Sequence, residues 1–271
     1  MSRHRVKPGE TVDLAAIDPD DTGDYDGAAG KAKAKAKTDA LIERLEFLQD
    51  RLYANAGPSL LIVLQGMDTS GKDGTIKHVM SGANPMGCHV RSFKLPTPQE
   101  RAHDFLWRVH HEAPAAGYIG IFNRSHYEDV LVTRVHEQIN KREAERRFAQ
   151  IRDFERLLNE HGTAIVKFFL HISKDEQRDR LEERVKDKEK RWKFSPNDLA
   201  ERKLWAKYQA MYEAAIAATS TKDAPWFIVP ANRKWYRNLV VAETIVETLE
   251  ALKLRTPPAS PDIDFKTLKI S

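Results

Sequence analysis

Residues 66–74 read Gly-Met-Asp-Thr-Ser-Gly-Lys-Asp-Gly and follow the apolar run Leu60-Leu61-Ile62-Val63-Leu64-Gln65. The chemistry this spacing serves is phosphate binding. Glycines at both ends let the backbone fold tightly, so several N–H groups converge on one anion. The helix expected from Gly74 presents its positive end to the same place, and Lys72 adds a mobile point charge. Candidate phosphate and nucleotide contacts are Gly66, Thr69, Ser70, Gly71, Lys72, Asp73, Gly74 and Thr75. The competing reading is a Gly/Ser turn with a solvated lysine; a strand in front and a helix behind favour the P-loop.

One position departs from the P-loop pattern. The Ser or Thr that follows the lysine, which ordinarily holds Mg²⁺, is Asp73 here. Asp68, inside the loop, is the carboxylate of interest. A negative group in a phosphate cradle repels its ligand unless a divalent cation lies between them. Oxygen donors of this kind suit Mg²⁺, with Mn²⁺ as the alternative ion. The simpler role for Asp68 is a turn bonded to its own backbone.

A second constellation, Asn123-Arg124-Ser125-His126-Tyr127-Glu128-Asp129, follows the run Tyr118-Ile119-Gly120-Ile121-Phe122. Many P-loop enzymes place a metal-anchoring aspartate at the first of these positions. Asn123 can coordinate through its carbonyl but carries no charge, so Glu128 and Asp129 are candidate metal ligands beside Asp68. Arg124 has the fork that clamps phosphate. The alternative is that Glu128 and Asp129 only favour a helix N-terminus and Arg124 is an ordinary ion pair.

A third feature is basic. Arg178, Arg180, Arg184, Lys186, Lys188, Lys190, Arg191 and Lys193 are interleaved with five acids. Arg180, Arg184 and Lys188 recur every four residues and would share a helix face, able to track a chain of phosphates. Alone, the segment reads as a salt-bridged solvated helix. Downstream of a P-loop it reads as a lid, which closes over the transferring group and excludes water.

These groups need a scaffold. Strands are expected at 60–65, 89–93, 119–122, 164–170 and 226–229, and helices at 74–81, 99–109, 128–135, 141–161, 174–190, 196–218 and 234–252. Ser195, Pro196 and Asp198 form a helix-start signature. Short apolar strands alternating with amphipathic helices imply an α/β fold with a mostly parallel sheet flanked by helices. Ligands then sit at the carboxyl ends of the strands. Residues 31–255 are expected to form one domain, with a lid at about 174–195. Residues 1–30, with Asp18, Asp20, Asp21, Asp24 and Asp26, are expected to be a mobile lead-in, and the tail from Thr256 an extended arm. Residues 31–37, Lys-Ala-Lys-Ala-Lys-Ala-Lys, are expected to start a helix running to about Ala54.

Composition narrows the class. The chain has 271 residues, 41% hydrophobic and 31% charged, with a net charge of +4. No run approaches the ~18–20 apolar residues that span a bilayer, and the basic, polar start at 1–10 is not a secretory signal. The single cysteine, Cys88, excludes an internal disulfide framework and suits a reducing cytoplasm.

Several of these motifs in order resemble polyphosphate kinase family 2. They are Gly66 to Ile76, Asn84-Pro85, Ser92-Phe93-Lys94, Pro96-Thr97, His103-Asp104-Phe105-Leu106-Trp107-Arg108, Asn123 to Asp129, and Arg191-Trp192-Lys193-Phe194-Ser195-Pro196. The resemblance covers about Leu41 to Leu249. It implies a P-loop core like that of nucleotide kinases with a helical lid, Mg²⁺-dependent phosphoryl transfer between inorganic polyphosphate and adenine nucleotides, and a homodimer or homotetramer. Nucleic acid and membrane are not implied as partners.

Carried over by position, Asp68 and Lys72 fall on the family's P-loop acid and lysine. Asn123 and Arg124 fall on its second motif, where many members have Asp-Arg. These four are the expected catalytic residues. Arg180, Arg184, Lys188, Arg191 and Lys193 are the expected lid contacts to polyphosphate. The form of residues 123–129 resembles the subgroup accepting both AMP and ADP. Two other readings compete: an ATP-dependent nucleoside monophosphate kinase, and a non-catalytic module that binds polyanions.

Overall fold

The strand Ser59–Gln65 (β1) is buried at every position, as expected of a strand covered on both faces. In the computed structural model, which describes residues 3–259, 261 and 268, β1 is the centre of a five-stranded sheet. The others are β2 (Cys88–Ser92), β3 (Ile119–Asn123), β4 (Thr163–His171) and β5 (Trp226–Pro230), in the order β2-β3-β1-β4-β5. Every pairing is parallel. Successive side chains alternate between faces. Leu60, Ile62 and Leu64 enter one core while Leu61 and Val63 enter the other.

Ten helices surround the sheet among the described residues: α1 (Gly27–Asn55), α2 (Lys72–Val79), α3 (Pro98–Arg101), α4 (Trp107–His110), α5 (Glu128–Val135), α6 (Lys141–Glu160), α7 (Lys174–Lys186), α8 (Pro196–Lys203), α9 (Trp205–Thr219) and α10 (Lys234–Ala251). The first core packs α1 and α10 on the sheet, through Leu45, Leu52, Leu239 and Ile245. The second packs α5, α6 and α9, through Leu131, Ile151 and Ile216. Leu64 pairs with Asn123 in register, so the P-loop and the 123–129 turn leave the carboxyl end of the sheet side by side.

The sheet follows the sequence expectation closely, whereas several helices differ. The helix expected over 99–109 is two short ones. Asp104 Oδ1 accepts from the backbone N–H groups of Leu106 and Trp107 at 2.9 and 3.1 Å, restarting the chain in a new turn. The helix expected to reach residue 190 stops at Lys186, because Asp187 is extended. The helix expected over 196–218 is interrupted at Leu204. Ser195 does cap α8, in a reciprocal capping box with Asp198.

The amino-terminal segment also differs from the mobile lead-in expected for 1–30. It runs antiparallel along the outer edge of β5: Val6 N–H donates to the Trp226 carbonyl and Ile228 N–H to the His4 carbonyl, both at 2.9 Å. Val6 and Leu14 are buried, and Asp20 pairs with Asn232 and Arg233. The first helix begins at Gly27, ahead of the lysine run. The arm expected over 256–271 lies largely outside the described residues; 256–259 are exposed, with no helix or strand. No described helix is long and apolar enough to cross a membrane.

Candidate active site

The P-loop is built by close approaches that only glycine permits. Gly66 has φ +147°, and a Cβ there would stand 2.8 Å from both the Leu170 carbonyl and Ser70 Oγ. Gly71 has φ +101°, and a Cβ would stand 1.9 Å from Arg237 Nη1. Thr69 also adopts a left-handed φ of +65°. Lys72 is only 7% exposed. Its ammonium donates to the loop's own carbonyls, Gly66 at 2.7 Å and Met67 at 3.3 Å. Burial, and then the charge of Arg124, push its pKa down to about 8.

The turn after β3 brings the second set of groups to this loop. Arg124 sits at φ +62°, its N–H bonded to the Leu64 carbonyl at 3.0 Å. A non-glycine residue pays strain in that region and keeps it only where surroundings impose it. From there Nη2 donates to Asp68 Oδ1 at 2.5 Å and Nη1 to Glu128 Oε2 at 3.1 Å. Two carboxylates from separate elements thus converge on one cation. Glu128 raises the Arg124 pKa further. Asn123 Nδ2 donates to Asp73 Oδ1 at 2.7 Å. Burial pushes the Asp73 carboxyl up, but the Asn123 bond with the Lys193 and Lys72 charges more than offsets it, leaving it below the ordinary range.

Asp129 does not join them. Consecutive helical residues point about 100° apart, so Asp129 faces the other way and accepts from Arg108 Nη2 at 3.0 Å. Burial pushes its carboxyl up. It lines a separate cleft of about 520 Å³ with Phe105, Arg108, Glu143 and Arg147. Of the three expected metal ligands, Asp68 and Glu128 come together and Asp129 stands apart. Among the described residues no group of three or more His, Cys, Asp or Glu side chains is placed so that it could hold a metal ion.

The basic segment divides into parts with different surroundings. Arg180 is buried, unlike the surface cation expected. It donates to the carbonyls of Thr69, Ser70, Ala231 and Asn232 at 2.8, 3.1, 2.7 and 3.1 Å, and to Glu176 at 2.7 Å. It braces the P-loop from behind. Arg184 bonds to the Lys193 carbonyl at 3.1 Å and to Asp198 at 3.3 Å. Lys188 lies past the end of α7, so the four-residue row does not form a single face. Arg191 donates to the Val185 carbonyl at 2.7 Å. Lys193 reaches back to the P-loop, 3.6 Å from Asp73 Oδ2.

Residues 28–257 match polyphosphate kinase 2. The chain belongs to the polyphosphate kinase 2 family. It is 52% identical over 257 residues to a protein of Meiothermus ruber named AMP/ADP-polyphosphate phosphotransferase, covering 95% of this chain and 96% of that one. It is 47% identical over 232 residues to an ADP-polyphosphate phosphotransferase of Rhodopseudomonas palustris, covering 81% and 80%. The crystal structure of polyphosphate kinase 2 from Arthrobacter aurescens TC1 superposes with a TM-score of 0.91 at 46% identity, over 96% of this chain and 92% of that one.

In this member of the polyphosphate kinase 2 family, sequence reasoning missed three sets of groups around the site. Gln177 Nε2 donates to the Asp68 carbonyl at 3.1 Å. Arg237, on α10, touches Ser70. Beneath the 123–129 turn lies a fully buried network. Lys167 Nζ donates to Glu155 Oε2 at 2.5 Å and to Tyr127 Oη at 3.0 Å, Tyr127 Oη donates to Glu155 Oε1 at 2.8 Å, and His126 Nε2 stands 3.2 Å from Glu155 Oε1. The signal for it was Lys167 itself, a cation inside the apolar strand Ala164-Ile165-Val166-Lys167-Phe168-Phe169-Leu170. Such a charge requires a buried partner.

Proposed function

We propose that this polyphosphate kinase transfers the terminal phosphoryl group of inorganic polyphosphate to ADP and to AMP, reversibly and with a divalent cation. The observation that carries the reading is the convergence of Asp68, Arg124 and Glu128 at the mouth of a P-loop whose lysine is already in place. The names of the Meiothermus and Rhodopseudomonas relatives support the substrates and do not favour the ATP-dependent nucleoside monophosphate kinase.

The acceptor oxygen is a phosphate oxygen, already anionic, so no strong general base is needed. The obstacle is repulsion between two polyanions and their alignment for in-line attack. Catalysis is therefore positioning and charge neutralisation. Lys72 and the loop amides hold one phosphate chain. Arg124, released from its carboxylates, clamps the transferring group. Lys193 closes the lid over it and screens its charge. Asp68 and Glu128, two hard oxygen donors that already share a cation, suit Mg²⁺. When bound, the metal would supply charge neutralisation on the reacting phosphates. Asn123 orients Asp73 rather than adding charge.

Cytoplasmic residence and assembly as a homodimer or homotetramer belong to the same proposal. Exposed Met86, Val90 and Leu95, beside and along the edge strand β2, are apolar surface that such an assembly would cover.

The test is ATP formation from ADP and, separately, from AMP, with polyphosphate and Mg²⁺ as the only additions. Product from both is expected. Product from ADP alone would overturn the AMP assignment. No product from either, with ATP still phosphorylating a monophosphate, would overturn the donor.

A further inference from the structure

Arg237 is 3% exposed and meets only neutral acceptors. Its Nε and Nη2 donate to Asn238 Oδ1 at 3.2 and 2.9 Å, and its Nη1 to the Ser70 carbonyl at 3.3 Å. Among the described residues no carboxylate pairs with it. The neighbouring Arg180 has Glu176 as a counter-charge, so the two guanidiniums together carry one positive charge in excess. Burial, and then Arg180, push the Arg237 pKa down to about 9.

A buried cation without a counter-charge destabilises a fold. Its place is informative. A Cβ at Gly71 would stand 1.9 Å from Arg237 Nη1, so the charge rests directly against the back of the P-loop. The low dielectric of the interior leaves its field little screened. An oligophosphate chain seated on the other side of that thin backbone would be its missing counterion.

We propose that Arg237 is a binding determinant of the P-loop: its buried, unpaired charge acts through the loop backbone to strengthen the hold on an oligophosphate chain. The inference rests on reading residues 66–74 as a phosphate cradle. Arg237 touches no substrate, so it is a positioning residue whose contribution is electrostatic. The competing role is a neutral strut, in which the side chain only supports Gly71.

The test uses the full chain with inorganic tripolyphosphate and, in a separate arm, ADP as probes, reading Kd by calorimetry and the melting temperature without ligand. Arg237→Met is expected to weaken tripolyphosphate by about tenfold, equivalent to about 1.4 kcal/mol, with the ligand-free melting temperature unchanged or raised. Arg237→Gln is the alternative neutral variant should the methionine chain not fold. Arg237→Lys, which keeps the charge and loses the fork, is expected to stay within about threefold of the original affinity. Arg156→Met, removing an exposed cation on α6, should change neither readout.

Affinity within about threefold in the neutral variants would overturn the proposal, as would equal weakening in Arg237→Lys. A lowered ligand-free melting temperature with unchanged Kd would assign the strut. Absence of binding by the unaltered chain to both probes would overturn the cradle reading itself, and this inference with it. A larger loss for tripolyphosphate than for ADP identifies the donor as the chain facing Arg237; the reverse identifies the nucleotide.

Discussion

Asp68 Oδ1 lies 2.5 Å from Arg124 Nη2, and the arginine holds this contact from a left-handed backbone at φ +62°. Both side chains are partly exposed, at 29% and 39%, so the pair itself adds at most about 1 kcal/mol to stability. The strain is therefore not repaid by the ion pair, and under the proposed function it serves to place Arg124 at the site. Asp68→Asn is expected to reduce turnover by about 10²–10³, the scale of losing one preorganised electrostatic group, while the melting temperature stays nearly constant. Steady-state kinetics and calorimetry on the same preparation check this; near-normal turnover would remove Asp68 from the site.

Under the proposed function Lys72 couples function to stability in the opposite sense. Its ammonium is buried against two carbonyls, and its pKa in the folded chain is about 8 against an ordinary 10.5. The unfolded chain thus binds more protons between those values, and stability rises with pH across that window. Below about 8 the cost of the buried charge is fully present. Lys72→Met is expected to abolish turnover and to stabilise the ligand-free protein by about 1–3 kcal/mol below that pH. The gain should shrink as pH rises towards 10.5. Chemical denaturation across this range reads it, and a destabilised variant would contradict the argument.

Under the proposed function the same group makes anion binding pH-dependent. A bound phosphate chain favours the charged lysine, so binding takes up a proton above about pH 8. Tripolyphosphate affinity is expected to fall as pH rises past that point in the unaltered chain, and to change less steeply in Lys72→Met. Calorimetry in buffers of different ionisation enthalpy would detect the proton uptake directly.

Lys193 and Asp73, 3.6 Å apart, join the proposed lid to the P-loop. At 39% and 70% exposure the contact is a surface pair of little energetic weight. Lys193→Ala should leave the melting temperature unchanged and raise the KM for polyphosphate by about tenfold at low salt. The difference should narrow as ionic strength screens the charge. A salt-independent defect would mean that the lid acts through packing instead.

Glu155 and Lys167 are both fully buried, and removing one leaves the other uncompensated. Lys167→Met or Glu155→Gln is expected to destabilise the chain by about 3–5 kcal/mol, whereas an apolar replacement of both costs much less. A double-mutant cycle in denaturant measures the coupling. Additive single effects would show that the pair does not act as a unit.

Much of the local structure of the candidate site could be read from sequence because its determinants are local. A buried strand, two glycines at fixed spacing and a lysine oblige the chain to form a tight loop of the kind that can cradle phosphate. The five strands were legible for a related reason: each is a short apolar run in a parallel sheet, with turn residues at its ends. Which charged residue meets which was not legible. Glu128 and Asp129 are adjacent in sequence, yet only Glu128 shares Arg124 with Asp68, because helix rotation sends its neighbour to Arg108. Arg180 looked like one cation in a surface row, but the packing of α7 turns it under the P-loop. Arg237 lies 163 or more positions from every residue of the loop it abuts, and no spacing rule links the two. The acidic lead-in looked mobile by composition and is held by β5 and Asn232. Composition and spacing determine which local structures a chain can form, since those depend on neighbours along the backbone. Pairing of buried charges depends on neighbours in space, and only the packed sheet and its helices decide them.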